Sequence, residues 1–185
     1  MEAHFETGAG GTGLYAFGFP DEEARRVNFG LQIPKVLSVL VHGNADQPVD
    51  GLDKIPRGDW PPVAITFQAF HLMVALGSFF IGITVLGCYF RWRGTLFEKR
   101  WLMLVFVLAI PLPYIANQVG WVTAEVGRQP WVIYGVLRTG DSASPIPAQT
   151  VFTSLGAFIG IYAALLAVFV IAGRYLLLKG PDLDN

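Results

Sequence analysis

The sequence predicts an all-α membrane protein: three transmembrane helices preceded by an extramembrane loop segment, together a piece of a larger helical bundle. Three observations carry that fold class. Of the 185 residues, 53% are hydrophobic and 14% aromatic. The apolar residues collect in three blocks, Val63–Phe90, Trp101–Thr123 and Thr150–Ala172, each with about the 20 residues that a helix needs to cross a hydrocarbon core. No Lys or Arg lies inside any of the three.

Residues 1–61 differ in kind. They are rich in Gly, Pro and acids, with nine Asp and Glu against five Lys and Arg, and read as an extramembrane segment. Turn punctuation runs throughout, with a candidate short helix starting near Pro20–Asp21, where acids follow a proline. "DWPPVAITF" opens the first span, expected over 62–92, since Trp60 suits an interfacial belt and Pro61 and Pro62 suit a helix start. A short basic loop follows at 93–99, then a second span at 100–125, an outer loop at 126–148, a third span at 149–174 and a tail at 175–185.

Charge orients the spans. Arg91, Arg93, Lys99 and Arg100 flank the short loop, and Arg174 and Lys179 follow the third span, against Lys54 and Arg57 near the other end of the first. Basic loops stay in the cytoplasm, which puts the N-terminal segment outside and the C-terminus inside. A net charge of −1 offers nothing to nucleic acid, and the lone Cys88 forms no intrachain disulfide. "MEAHFETGAGG" lacks the basic-then-apolar order of a signal peptide.

Polar chemistry gathers towards the outer ends of the helices. Asn117, Trp121, Glu125 and Arg128 follow steps of four, four and three, which share one helix face. Arg100 to Glu125 spans about 37 Å at the α-helical rise, so Glu125 reaches the outer interface. The plain interpretation is an interfacial Glu125–Arg128 ion pair anchored by tryptophans; the sharper ones are an ion or proton path, or a metal or heme ligand. In the first span Gln68, His71 and Met73 are the candidates. A methionine in an apolar helix usually fills space, but its thioether can also ligate heme iron. Gly77, Gly82 and Gly87 read as close-packing points.

The block "FEKRWLMLVFVLAIPLPYIANQVGWVTAEVGRQPWVIYGVLRT" resembles the most recognisable stretch of subunit I of cytochrome bd quinol oxidases, with "PPVAITFQAFHLMVALG" similar to the helix before it and "MEAHFET" to the quinol-loop segment. The resemblance covers nearly the whole chain and is to the C-terminal portion, of the short quinol-loop type. It implies part of a heme-containing terminal oxidase of the bacterial cytoplasmic membrane, which takes electrons from quinol and reduces dioxygen. Carried over by motif, Met73 is an axial ligand of a low-spin heme b and Glu125 of a high-spin heme b. Trp121 lies on the electron path, Arg128 faces heme propionates, and Glu2 serves quinol oxidation. His71 stands beside Met73 where family members carry an arginine. The third heme, d or a b-type substitute, falls to the rest of the subunit.

The chain has only His4, His42 and His71, none at a position matching the family's histidine ligands, so the resemblance implies that it cannot hold the full heme set alone. Met1 reads as an interior methionine. The implied partners are the remaining N-terminal helices of subunit I, subunit II, quinol, dioxygen and lipid. The competing expectations are a non-catalytic three-helix remnant or assembly module without heme, and a small ion or proton conductor built on Asn117, Glu125 and Arg128.

Overall fold

The computed structural model describes residues 2–180. Residues up to Ser142 form one compact unit and those from Ala143 a second.

The first unit is built on a helix pair. Helix α2, Val63–Trp92, starts at Pro62, whose carbonyl accepts the Thr66 backbone N–H at 3.1 Å and the Thr66 hydroxyl at 2.9 Å. It ends where Gly94 takes a φ of +73° and the chain reverses, a conformation glycine adopts without steric cost. A 3₁₀ turn at Leu96–Glu98 leads into α3, Arg100–Ala109, and then α4, Leu112–Gly127. The single helix expected over 100–125 is therefore two helices, bent by 41° at the break. Pro111 and Pro113 have no N–H to give to the ladder, and Ile110 closes the preceding turn by donating to Val107 O at 3.3 Å.

α2 runs antiparallel to the α3–α4 pair in a close register. A Cβ on Gly120 would lie 2.9 Å from Met73 Sδ, one on Gly127 3.0 Å from Thr66 Cγ2, and one on Gly87 2.8 Å from Phe106 Cζ. Each seven-residue step from Thr66 to Met73 answers the seven-residue step from Gly127 to Gly120, the heptad spacing of a close helix seam. Gly77 and Gly82 meet nothing within 4 Å, so of the glycines expected to mark close packing only Gly87 does.

The segment before α2 holds regular structure. Strands β1, Leu14–Asp21, and β2, Arg26–Ile33, pair antiparallel with register shifts on either side of Phe17. The helix expected near Pro20–Asp21 is the hairpin turn instead: Asp21 Oδ1 accepts the N–H groups of Glu23 at 3.1 Å and Ala24 at 2.9 Å, closing a local Asx turn where a helix would have continued. Helix α1, Val36–His42, follows and stops at Gly43. Its buried Ser38 is locked to Thr12, the Oγ accepting Thr12 N–H at 2.6 Å and the backbone N–H returning to Thr12 O at 3.2 Å. Ala3, Phe5, Val63 and Phe67 form the core that seats this cap on the first turns of α2, with Tyr15, Val27, Leu52 and Trp60 packed around it. The Trp60 indole N–H donates to Leu52 O and Ile55 O, the partner that a tryptophan at a polar boundary needs.

After α4 the outer loop forms a small hairpin, β3 Trp131–Ile133 with β4 Leu137–Arg138. Arg138 pairs with Asp59 of the cap and lies 4.7 Å from the Trp131 ring centroid. In the second unit α5 spans Ala148–Lys179. It runs further than the expected 149–174 and takes in the start of the expected tail; residues 181–185 lie outside the described ones. The chain is mostly helical but not all-α, because the cap and the outer loop each hold a two-stranded sheet. By length and composition α2 and α5 can each cross a membrane, with mean hydropathy of 2.1 and 2.5, and the bent α3–α4 pair passes the same test as one broken span.

Candidate functional site

Glu2, expected as the quinol-side acid, is brought beside α2 by the cap core. Ala3 and Phe5, one and three residues on, are buried against Val63 and Phe67, which draws the carboxylate inward. Its Oε2 is buried with no hydrogen-bond partner among the described residues. Burial pushes the Glu2 carboxyl above its ordinary value, while the charge of His71 pulls the other way. The desolvation wins, as it does for a carboxylate without hydrogen-bond donors.

His71 is held from two sides. Nδ1 lies 2.8 Å from Phe67 O, one turn back on α2, and Nε2 lies 2.7 Å from Tyr15 O on β1. Both neighbours are carbonyl oxygens, which only accept, so a neutral ring satisfies one of them and the imidazolium both. The ring stacks on Phe67 at 3.9 Å and meets Phe70 edge-on at 5.5 Å. Glu2 and His71 line one cavity of about 450 Å³, whose walls include Tyr15, Phe70, Val74 and Ser78. The cavity has a polar end at Glu2 and His71 and apolar flanks.

Met73 follows His71 by two residues, and its thioether rests against Gly120, the residue before Trp121. The close approach of α2 and α4 thus brings Met73 to the α4 segment carrying the polar stripe. The stripe itself points about one residue step, 100°, round α4 from the glycine seam. Trp121 is 64% exposed, and Glu125 and Arg128 are half exposed. Arg128 reaches Glu125 at 3.3 Å, so the interfacial ion pair expected from the spacing forms. Asn117 is exposed on the same face. Gln68 is not in the Glu2 cavity; its side-chain amide donates to Gly18 O at 2.7 Å.

Among the described residues no three His, Cys, Asp or Glu converge to hold a bare metal ion. The side chains present fit a macrocyclic group better, because such a group needs one axial donor at a time and anion-binding partners at its rim. Met73 offers a thioether and Glu125 a carboxylate. Arg128 offers a guanidinium and lines one cavity with Trp131, whose buried indole N–H has no acceptor among the described residues, and Arg138 lies over that same indole.

Three parts of this arrangement lie outside the sequence expectations. One is the Gly120–Gly127 notch that admits Met73 and Thr66, although the seven-residue glycine spacing inside "GWVTAEVG" is a seam signal. Another is the orphan Trp131 N–H. The last is the Asp59–Arg138 link between cap and outer loop, which no local pattern announces.

Comparison with known proteins places the chain in a family. A Bacillus subtilis protein named as a putative cytochrome bd menaquinol oxidase subunit I is 35% identical over 167 residues, covering 89% of this chain and 37% of its own length. The cytochrome bd ubiquinol oxidase subunit 1 of the same organism is 30% identical over 180 residues, 92% of this chain and 38% of its own. The solved structure of bd oxidase from Geobacillus thermodenitrificans superposes with a TM-score of 0.74 at 32% identity, over 97% of this chain and 41% of that one. The chain therefore spans well under half the length of the relatives it matches. The family profile described as cytochrome bd terminal oxidase subunit I matches residues 1–181, and by that match the chain belongs to the cytochrome bd terminal oxidase subunit I family.

Proposed function

We propose that this chain is the C-terminal part of a quinol-oxidising, dioxygen-reducing terminal oxidase subunit, active once joined by the remaining helices of subunit I and by subunit II in a bacterial cytoplasmic membrane. The observation that carries the proposal is the placement of an ionisable acid against the stretch of α2 that carries a soft ligand. Glu2 and His71 share a cavity, and Met73 lies two residues further on.

Oxidising a quinol to a quinone releases two electrons and two protons, so the site needs a proton acceptor beside an electron acceptor. Glu2 is suited to the first task. A carboxylate pushed upward by burial is a stronger base than one in water. For the second, Met73 would hold a low-spin heme b through its thioether and Glu125 a high-spin heme b through its carboxylate. The hemes supply one-electron acceptance and dioxygen reduction when bound. Around them Arg128 and the Trp131 N–H would bind propionates, and Trp121, one turn before Glu125 on α4, would lie on the electron path. The third heme, d or b-type, belongs to the preceding helices of the full subunit. Turning one dioxygen into two waters consumes four electrons and four protons, two quinols' worth. With the cap outside, protons from quinol are released outside.

The test is a reduced-minus-oxidised spectrum of the complex assembled from this chain, the rest of subunit I and subunit II. Heme b bands that disappear with Met73→Ala or Glu125→Ala, together with quinol-dependent oxygen uptake, are the expected result. Bands unchanged by both substitutions would overturn the ligand assignment. A folded complex with neither heme nor oxygen uptake would favour the remnant.

A further inference from the structure

Three polar contacts join the outer turns of α2 to the hairpin. The Ala64 N–H donates to Glu22 Oε1 at 3.2 Å, Gln68 Nε2 donates to Gly18 O at 2.7 Å, and His71 Nε2 lies 2.7 Å from Tyr15 O. On the helix these residues step by four and three along one face; on the hairpin they step back by four and three, from 22 to 18 to 15. A strand rises about twice as fast as a helix per residue, and two such elements stay in step only if the strand is irregular. The register shifts of β1 fall between Tyr15 and Phe17 and between Phe17 and Phe19, within the stretch that carries the two lower contacts. A bulge leaves strand groups without a partner across the sheet; Gly18 falls outside the register with β2, and its carbonyl accepts from Gln68 of α2 instead.

Two further features hold the strand in this position. A Cβ on Gly18 would lie 2.3 Å from Val27 Cγ1, and one on Gly30 2.6 Å from the Tyr15 ring, so β2 fits closely behind β1. Tyr15 also lines the cavity that Glu2 and His71 share and packs against the core that holds Ala3 and Phe5. Moving β1 therefore moves the wall facing Glu2.

Resting on the quinol-oxidase reading, we propose that Gln68 and His71 are positioning residues which clamp β1 to the helix that carries Met73 and so hold Glu2 and Tyr15 at quinol-binding separation. The clamp explains two polar side chains placed on an apolar helix face: each donates to a strand carbonyl, and neither touches the reacting atoms through its clamp contact.

The experiment uses the complete oxidase with Gln68→Met, His71→Leu and His71→Arg. Amide hydrogen exchange across residues 14–21 reads the clamp. Oxygen uptake driven by a soluble quinol, and separately by a small one-electron donor without quinol hydroxyls, reads its consequence. Gln68→Met and His71→Leu are expected to speed exchange in β1 and raise the quinol KM about tenfold each, the effect of losing one buried hydrogen bond. For Gln68→Met, which lies outside the Glu2 cavity, kcat, the one-electron rate and the heme spectrum stay as in the parent enzyme, and His71→Arg, which keeps N–H donors, reverses the KM rise of His71→Leu. Unchanged exchange in both donor-less variants would overturn the proposal, and so would a parallel fall in both uptake rates with loss of heme. Quinol uptake absent from the parent enzyme, with exchange still raised by Gln68→Met, would overturn the quinol reading while leaving the clamp in place.

Discussion

α2 and α5 are near twins by composition and opposites in structure. They have 30 and 32 residues and comparable hydropathy, yet α2 buries Val63, Thr66, Phe67, Ala69 and Gly87 while α5 buries none of its residues. The glycines make the same point. Gly87 of α2 sits tight against Phe106, whereas a Cβ on Gly156, Gly160 or Gly173 of α5 would meet nothing within 4 Å. Hydropathy tells that a helix crosses a membrane. What it packs against is told by polar side chains on its outer turns and by glycines matched to a bulky residue on a partner. α2 has both, and its partners are in this unit.

The comparison breaks most sharply at phenylalanine. Phe67 is fully buried in the cap core and Phe169 is 74% exposed on α5. Phe67→Ala is expected to destabilise the detergent-solubilised chain by about 3–5 kcal/mol, and Phe169→Ala by less than about 0.5 kcal/mol, read from the denaturation midpoint of the cap's near-ultraviolet signal. Equal losses would mean that α5 is packed in solution as firmly as α2.

A smaller effect sharpens the glycine argument. Gly120→Val forces branched carbon into the space of the Met73 thioether and is expected to cost about 1–3 kcal/mol, while Gly156→Val, facing open space, is expected to leave the chain's stability within about 0.5 kcal/mol. In the assembled oxidase Gly120→Val should also shift the low-spin heme b absorption band, since the displaced atom is the proposed ligand. A shifted band without a stability loss would place the glycine's role in ligation alone.

Much of this contrast was legible in the sequence, but unevenly. The helices were, because a continuous apolar run needs no partner to be recognised, and so was the Glu125–Arg128 pair, because three residues on a helix is one geometry. The hairpin was not. Its strands carry Gly18, Pro20 and Gly30, which read as turn residues, and its turn, Glu22–Arg25, carries no glycine. At Ile110, Pro111 and Pro113 remove ladder N–H groups, but two prolines do not by themselves give the 41° bend. Glu2 and His71 stand far apart along the chain. Their meeting depends on the hairpin and could not be read before it.

The smallest effect separates Glu2 from the other carboxylates of the cap. Burial raises the Glu2 carboxyl, whereas hydrogen bonds from Ala24 lower Asp21 and those from Thr7 lower Asp53. By linkage these act with opposite sign. The advantage of neutral Glu2 is complete below the ordinary carboxylate value and is lost as pH rises through its raised one. The contributions of ionised Asp21 and Asp53 are present above the ordinary value and are lost as pH falls through their lowered ones. Cap stability should therefore decline as pH rises from the ordinary carboxylate value through that of Glu2, and Glu2→Gln should flatten that limb while leaving the acid limb of Asp21 and Asp53 intact. Denaturation midpoints at half-unit pH intervals read both limbs. A declining limb that survives Glu2→Gln would assign it to another group and leave the Glu2 carboxylate without the burial that makes it a base.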